Sequence, residues 1–162
     1  MTTLSLFKRF ALLLALPAML VLSACDSNDD HDDHFGQLER IEVRDRATGE
    51  LYASYLRTDG AFEGGVGLGL GDERALNVLF FDQDGREASL GSDEGYTLGI
   101  RLAEAGRDGV EGTPGIVAFE AHADHARVEA LAEGETHLVL QLLHGGHSDG
   151  DAPALRVTVG AR

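Results

Sequence analysis

The run Ala75-Leu76-Asn77-Val78-Leu79-Phe80-Phe81-Asp82-Gln83-Asp84-Gly85 decides the fold. Its first seven residues are mostly aliphatic and aromatic, a composition that favours an extended, half-buried chain. The four that follow form a turn, because Asp-Gly supplies the backbone angles a hairpin needs. The same four could suggest a calcium loop, but the full Asp-x-Asp-x-Asp-Gly with a closing glutamate is missing. The reading is therefore strand, then tight reversal.

The pattern repeats outward. Downstream, Tyr96, Leu98, Ile100 and Leu102 alternate with period two. Ile116–Phe119, Val128–Leu131 and Thr136–Leu143 are further strands, and Leu155, Val157 and Val159 mark a last one. Ala103–Gly109 has room for one helical turn. Upstream lie a segment led by Leu38, Ile41 and Val43, and Leu51–Leu56. Gly60–Gly71 reads as one weak strand, with Val66, Leu68 and Leu70 alternating among six glycines. Seven to nine short strands without helical periodicity predict an all-β fold, a single antiparallel β-sandwich. No repeat of propeller or solenoid length is present.

The N-terminus has a different character. Lys8 and Arg9 precede an apolar run, Phe10–Leu22, too short to span a bilayer but of signal-peptide length. Leu22-Ser23-Ala24-Cys25 closes it and contains the one cysteine of the chain. This run resembles the lipobox of bacterial lipoproteins. The resemblance implies cleavage before Cys25, acylation of that residue and attachment to a bacterial membrane in the cell envelope, periplasmic or surface-facing. Asp26–His34 has no apolar residue and is predicted to be a disordered acidic tether. The expected organisation is a signal peptide over 1–24, an acylated Cys25 and tether over 25–36, and an immunoglobulin-like sandwich over 37–162.

Beyond the leader, eleven arginines face 28 Asp and Glu, a net charge of −17. Such a surface repels nucleic acid and anionic lipid headgroups, and favours cations or a basic envelope protein as partner. No methionine or second cysteine remains, which leaves no soft-metal ligand set.

The second half resembles bacterial immunoglobulin-like domains of group 2. The likeness rests on Leu70-Gly71 before Ala75–Val78, on Phe81–Gly85, on Pro114-Gly115-Ile116-Val117, and on Val128–Thr136 with Gly134 leading into Thr136. The tryptophan often found on a central strand is absent, as the chain has none. The resemblance implies an extracellular spacer, adhesion or carbohydrate-surface module without catalysis.

Histidine placement carries the remaining signal. Six of seven histidines fall in His-x-x-His pairs: His31/His34, His122/His125 and His144/His147. On a straight strand, residues three apart point to opposite faces, so convergence on one ion requires a turn inside each pair. Gly145-Gly146 supplies one, and Ala123-Asp124 can supply another. Neutral imidazoles suit Zn²⁺, Ni²⁺ or Cu²⁺, and the neighbouring carboxylates Asp124, Asp149 and Asp151 can complete the shell, with Zn²⁺ the expected ion. If the two domain pairs meet at one end of the sandwich, His122, Asp124, His125, His144 and His147 surround one site. His31 and His34 would collect metal separately, and His137 reads as a strand residue. Glu120–His125 reads Glu-x-His-x-Asp-His, one histidine short of the motif of metallo-β-lactamase-like hydrolases. Without His-Glu-x-x-His, Gly-x-Ser-x-Gly or a P-loop, no enzyme is predicted. The expectation is an anchored envelope module capturing or delivering divalent metal. The alternative is a structural or adhesion module whose histidines are incidental.

Overall fold

The computed structural model describes residues 35–161. They form an all-β sandwich of two sheets. The first runs in the order β3 (Phe62–Gly64), β2 (Leu51–Leu56), β1 (Leu38–Asp45), β5 (Glu73–Asp82), β8 (Ala126–Ala130), β7 (Val117–Ala121). The second contains β10 (His147–Asp151), β9 (Gly134–His144), β11 (Leu155–Gly160) and β4 (Val66–Gly69), with β6 (Tyr96–Leu102) paired to β9. A single helical turn, α1 (Ala105–Asp108), follows β6. Pairing is antiparallel except between β4 and β11.

β5 shows why these residues choose this layer. Leu76, Val78, Phe80 and Asp82 are buried, while the residues between them are half-exposed, as the pleat dictates. Phe80 and Ile41 are fully buried and are joined in the core by Leu138, Leu140 and Leu142 of β9. Removing a ring placed like Phe80 typically costs about 3–5 kcal/mol. Phe81 faces outward under the Arg40 guanidinium, 3.7 Å from the ring centroid.

Two expectations need correction. The Gly60–Gly71 stretch is two strands in different sheets. The chain crosses between layers at Gly64 and Gly65, where a Cβ would meet the Tyr52 carbonyl at 2.4 Å and the Arg156 carbonyl at 2.8 Å. Only glycine allows so close a passage. The described residues also contain eleven strands rather than seven to nine. Besides the split, β10 was not anticipated, because its sequence His-Ser-Asp-Gly-Asp carries no strand signal.

The strand registers define two ends of the sandwich. Leu38 pairs with Asp82 at one end of the β1–β5 ladder and Asp45 with Leu76 toward the other. Phe35 lies beside Tyr96 at the first end. The last strand finishes at the second, where Leu70 N donates to Gly160 O and Gly71 N to Ala130 O.

Candidate functional site

Both domain histidine pairs flank two-residue reversals. In the β7–β8 hairpin, Ala121 pairs with Ala126, and His122 N donates to His125 O at 2.8 Å. The two imidazoles stack with centroids 4.4 Å apart and planes 15° from parallel. His125 Nδ1 lies 2.7 Å from Asp124 Oδ1. The other Asp124 oxygen accepts from Arg46 at 3.0 Å, and Arg46 also donates to Asn77. Hydrogen bonds from His125 and then Arg46 hold the Asp124 carboxyl below its usual range. His122 Nε2 is 3.7 Å from Glu120.

In the β9–β10 hairpin, Gly145 and Gly146 have φ of 57° and 84°. Two positive φ values in a two-residue loop define the type I′ turn, so His144 and His147 stand directly opposite each other. Ser148 pairs with Leu143 but Gly150 with Leu142, which leaves Asp149 as the extra residue of a β-bulge. Asp149 Oδ2 lies 3.6 Å from His144 Nδ1. The His144 ring stacks on Tyr96 at 4.6 Å.

The fold brings the two hairpins near each other. Leu98 N donates to Ala123 O, while Tyr96, two residues earlier, pairs with His144. The intervening loop spans both: a Cβ on Gly91 would lie 3.3 Å from Ala123, and one on Gly95 would lie 3.5 Å from His144. Strand parity separates the imidazoles. Ala126 is buried, so His125 and its partner His122 fall on the outer face. His144 continues the core-facing row of Leu140 and Leu142. Among the described residues, no three His, Cys, Asp or Glu side chains stand grouped to hold a metal ion.

Asp151 goes elsewhere. It accepts from Gln141, Arg101 and Arg107. Arg101 also clasps Asp108 of α1 with two hydrogen bonds, 2.7 and 2.8 Å. His137 is a strand residue 3.8 Å from Glu135. Cys25, His31 and His34 lie outside the described residues.

Sequence reasoning missed two buried carboxylates. Asp82 Oδ1 accepts from the backbone N–H of Asp84 and Arg86, and Oδ2 from Gly36 N and Arg86 Nε. These bonds use both oxygens and bear out the turn reading of Asp82–Gly85. Asp45 Oδ1 likewise accepts from Ala47 and Thr48 N–H, and Oδ2 from the Tyr52 hydroxyl. The shared signal was an aspartate ending an apolar strand, with glycine three or four residues on.

No family model matches the chain, and no curated protein matches it. Among solved structures it is similar to domains 4 and 5 of the S-layer protein SbsC, with 14% identity and a TM-score of 0.41. The match covers 61% of this chain and 49% of that one, so the chain spans about half of that structure's length.

Proposed function

We propose that the chain is a lipid-anchored, non-catalytic module of a bacterial cell envelope that holds its far end away from the membrane. The observation that carries this reading is the placement of Phe35 and the last strand. Phe35, ten residues after Cys25, lies at one end of the sandwich, and the last strand finishes at the opposite end. The ten residues of β5 alone span about 33 Å between the two. The far end also exposes Leu70 and Leu131, side chains suited to an apolar contact. Labelling with palmitate tests the anchor. Wild-type chain should carry label and sediment with membranes, whereas Cys25→Ala should lose both. Membrane attachment that survives Cys25→Ala overturns the reading.

Capture of divalent metal is the second reading, with Zn²⁺ the first ion to test. It is supported by the two-residue turns that make cross-strand neighbours of both histidine pairs. Calorimetric titration of Zn²⁺ into the tag-free chain should show saturable binding that falls when the paired histidines are replaced. Absence of binding removes this reading and leaves the anchored module standing.

A further inference from the structure

We infer that two copies of this chain pack face to face through the outer surface of the first sheet, about a two-fold axis parallel to β5. This pairing lies beyond the anchored-module reading and rests on the charge pattern of that surface. β5 runs through the surface between β1 and β8. Its outward side chains Ala75, Asn77, Leu79 and Phe81 carry no charge and are only half-buried. Among the described residues the one helical turn, α1, is held on the other sheet, where Asp108 grips Arg101 of β6.

The charges beside this neutral strip differ from one side to the other. On the β1 side, Arg40 pairs with Phe81 and Arg44 with Asn77, with Glu42 between them. On the opposite side, Glu87 forms a bridge with Phe81, and Asp124 lies near Asn77, where Arg46 contacts both. A two-fold axis along β5 lays Arg40 of each copy over Glu87 of its partner, and Arg44 over Asp124. Leu79 then meets Leu79 at the centre. An axis across the strands would instead set β1 on β1 and oppose like arginines, which disfavours binding. Six strands about 4.8 Å apart and a ten-residue β5 rising about 3.3 Å per residue give a face of at most about 24 by 33 Å. That matches the roughly 800 Å² per partner of a stable interface. The net negative charge of each copy opposes association, but exposed charges farther apart than about 8 Å are largely screened at physiological salt. The same axis preserves strand direction, so both copies present Phe35 at one end, as two chains anchored in one membrane require.

The test is sedimentation of the tag-free full chain in detergent at matched micelle concentration. Wild type should sediment as a dimer that dissociates on dilution. Arg40→Glu and Glu87→Arg should each weaken the dimer about tenfold or more, because each sets like charges face to face. Arg40→Glu/Glu87→Arg together should regain most of the loss. Cross-linking in membranes gives a second readout. Leu79→Cys should yield a dimer with a short bismaleimide, above the background that Cys25 alone sets. Thr158→Cys, exposed on the other sheet, should not. A variant counts only if it melts as wild type does, and Leu79→Cys keeps the test open if the charge variants fold poorly. A chain that stays monomeric at every soluble concentration overturns the inference. So does a dimer that both single reversals leave intact, or one that links through Thr158→Cys in preference to Leu79→Cys. Failure of palmitate labelling would remove the anchored-module reading and leave this result unchanged.

Discussion

The Tyr96 ring lies against the His144 imidazole, 4.6 Å between centroids, and its hydroxyl accepts the Phe35 N–H at 3.1 Å. One side chain thus joins Phe35 to the β9–β10 hairpin. Tyr96 is almost wholly buried, whereas its partners Phe35 and His144 are half-buried.

Tyr96→Phe keeps the ring stack and removes only the hydroxyl. It should cost about 0.5–1.5 kcal/mol in urea unfolding. It should also speed hydrogen exchange at the Phe35 amide while leaving the β6–β9 amides protected. An amide at Phe35 that exchanges as slowly as before would show that this hydroxyl does not restrain it.

The turn between His144 and His147 demands positive φ at both of its positions, which asparagine tolerates and a β-branched residue does not. Gly145→Asn should stay within about 0.5 kcal/mol of wild type, because Asn-Gly is a preferred type I′ pair. Gly146→Val forces a β-branched residue to φ near 84° and should cost about 1–3 kcal/mol. Denaturant midpoints of the two variants separate these outcomes, and equal losses would argue against the turn type.

Acid should loosen the sandwich in a defined window. The Asp45 carboxyl is lowered first by the Thr48 N–H and then by the Tyr52 hydroxyl. Burial pushes Asp82 upward, but the hydrogen bonds from Arg86 and Gly36 outweigh it and leave a net lowering. Hydrogen bonds from Arg101 hold Asp108 down to about 2. The unfolded chain therefore takes up protons first as pH falls. The stability from these carboxylates is complete above the ordinary carboxylate range and disappears as pH drops from about 4 to about 2. Urea midpoints measured across that interval should fall steadily, and Asp45→Asn should flatten part of the slope.

Arg101→Ala should release α1. Its guanidinium holds both Asp108 and Asp151, so its loss leaves Asp108 with the Glu104 N–H alone and unties α1 from β10 on that side. Exchange should accelerate at the Arg107 and Asp108 amides, which donate to Glu104 O, and the melting temperature should drop. Arg101→Lys should recover only part of the loss, since an ammonium cannot copy the two-pronged grip. Unchanged exchange in α1 would mean that the turn is held by its own backbone.

Strands that bury one face were legible because the pleat writes itself as alternation. Leu51–Leu56 and Tyr96–Leu102 have the predicted bounds, and the Asp82–Gly85 reversal lies where Asp-Gly placed it. β10 was not legible because pairing with β9, rather than side-chain burial, holds its polar residues extended. The crossing at Gly64-Gly65 was hidden for a related reason: alternation continues through it while the layer changes. For the histidines, the turns inside the pairs could be read from Gly145-Gly146 and Ala123-Asp124. Their faces could not, since a shift of one residue in register reverses the side to which a side chain points. The bulge at Asp149 depends on pairing with a strand that the sequence did not announce.

Because Phe35 and Gly160 lie at opposite ends of the sandwich, tension applied between those two points would act along β1 and β11 rather than across them. A strand pulled lengthwise must break its ladder bonds together, whereas one peeled sideways loses them one at a time. The parallel β4–β11 ladder and the Gly64-Gly65 crossing tie the two layers into the same load path. Pulled between those two points, the sandwich would be loaded in shear.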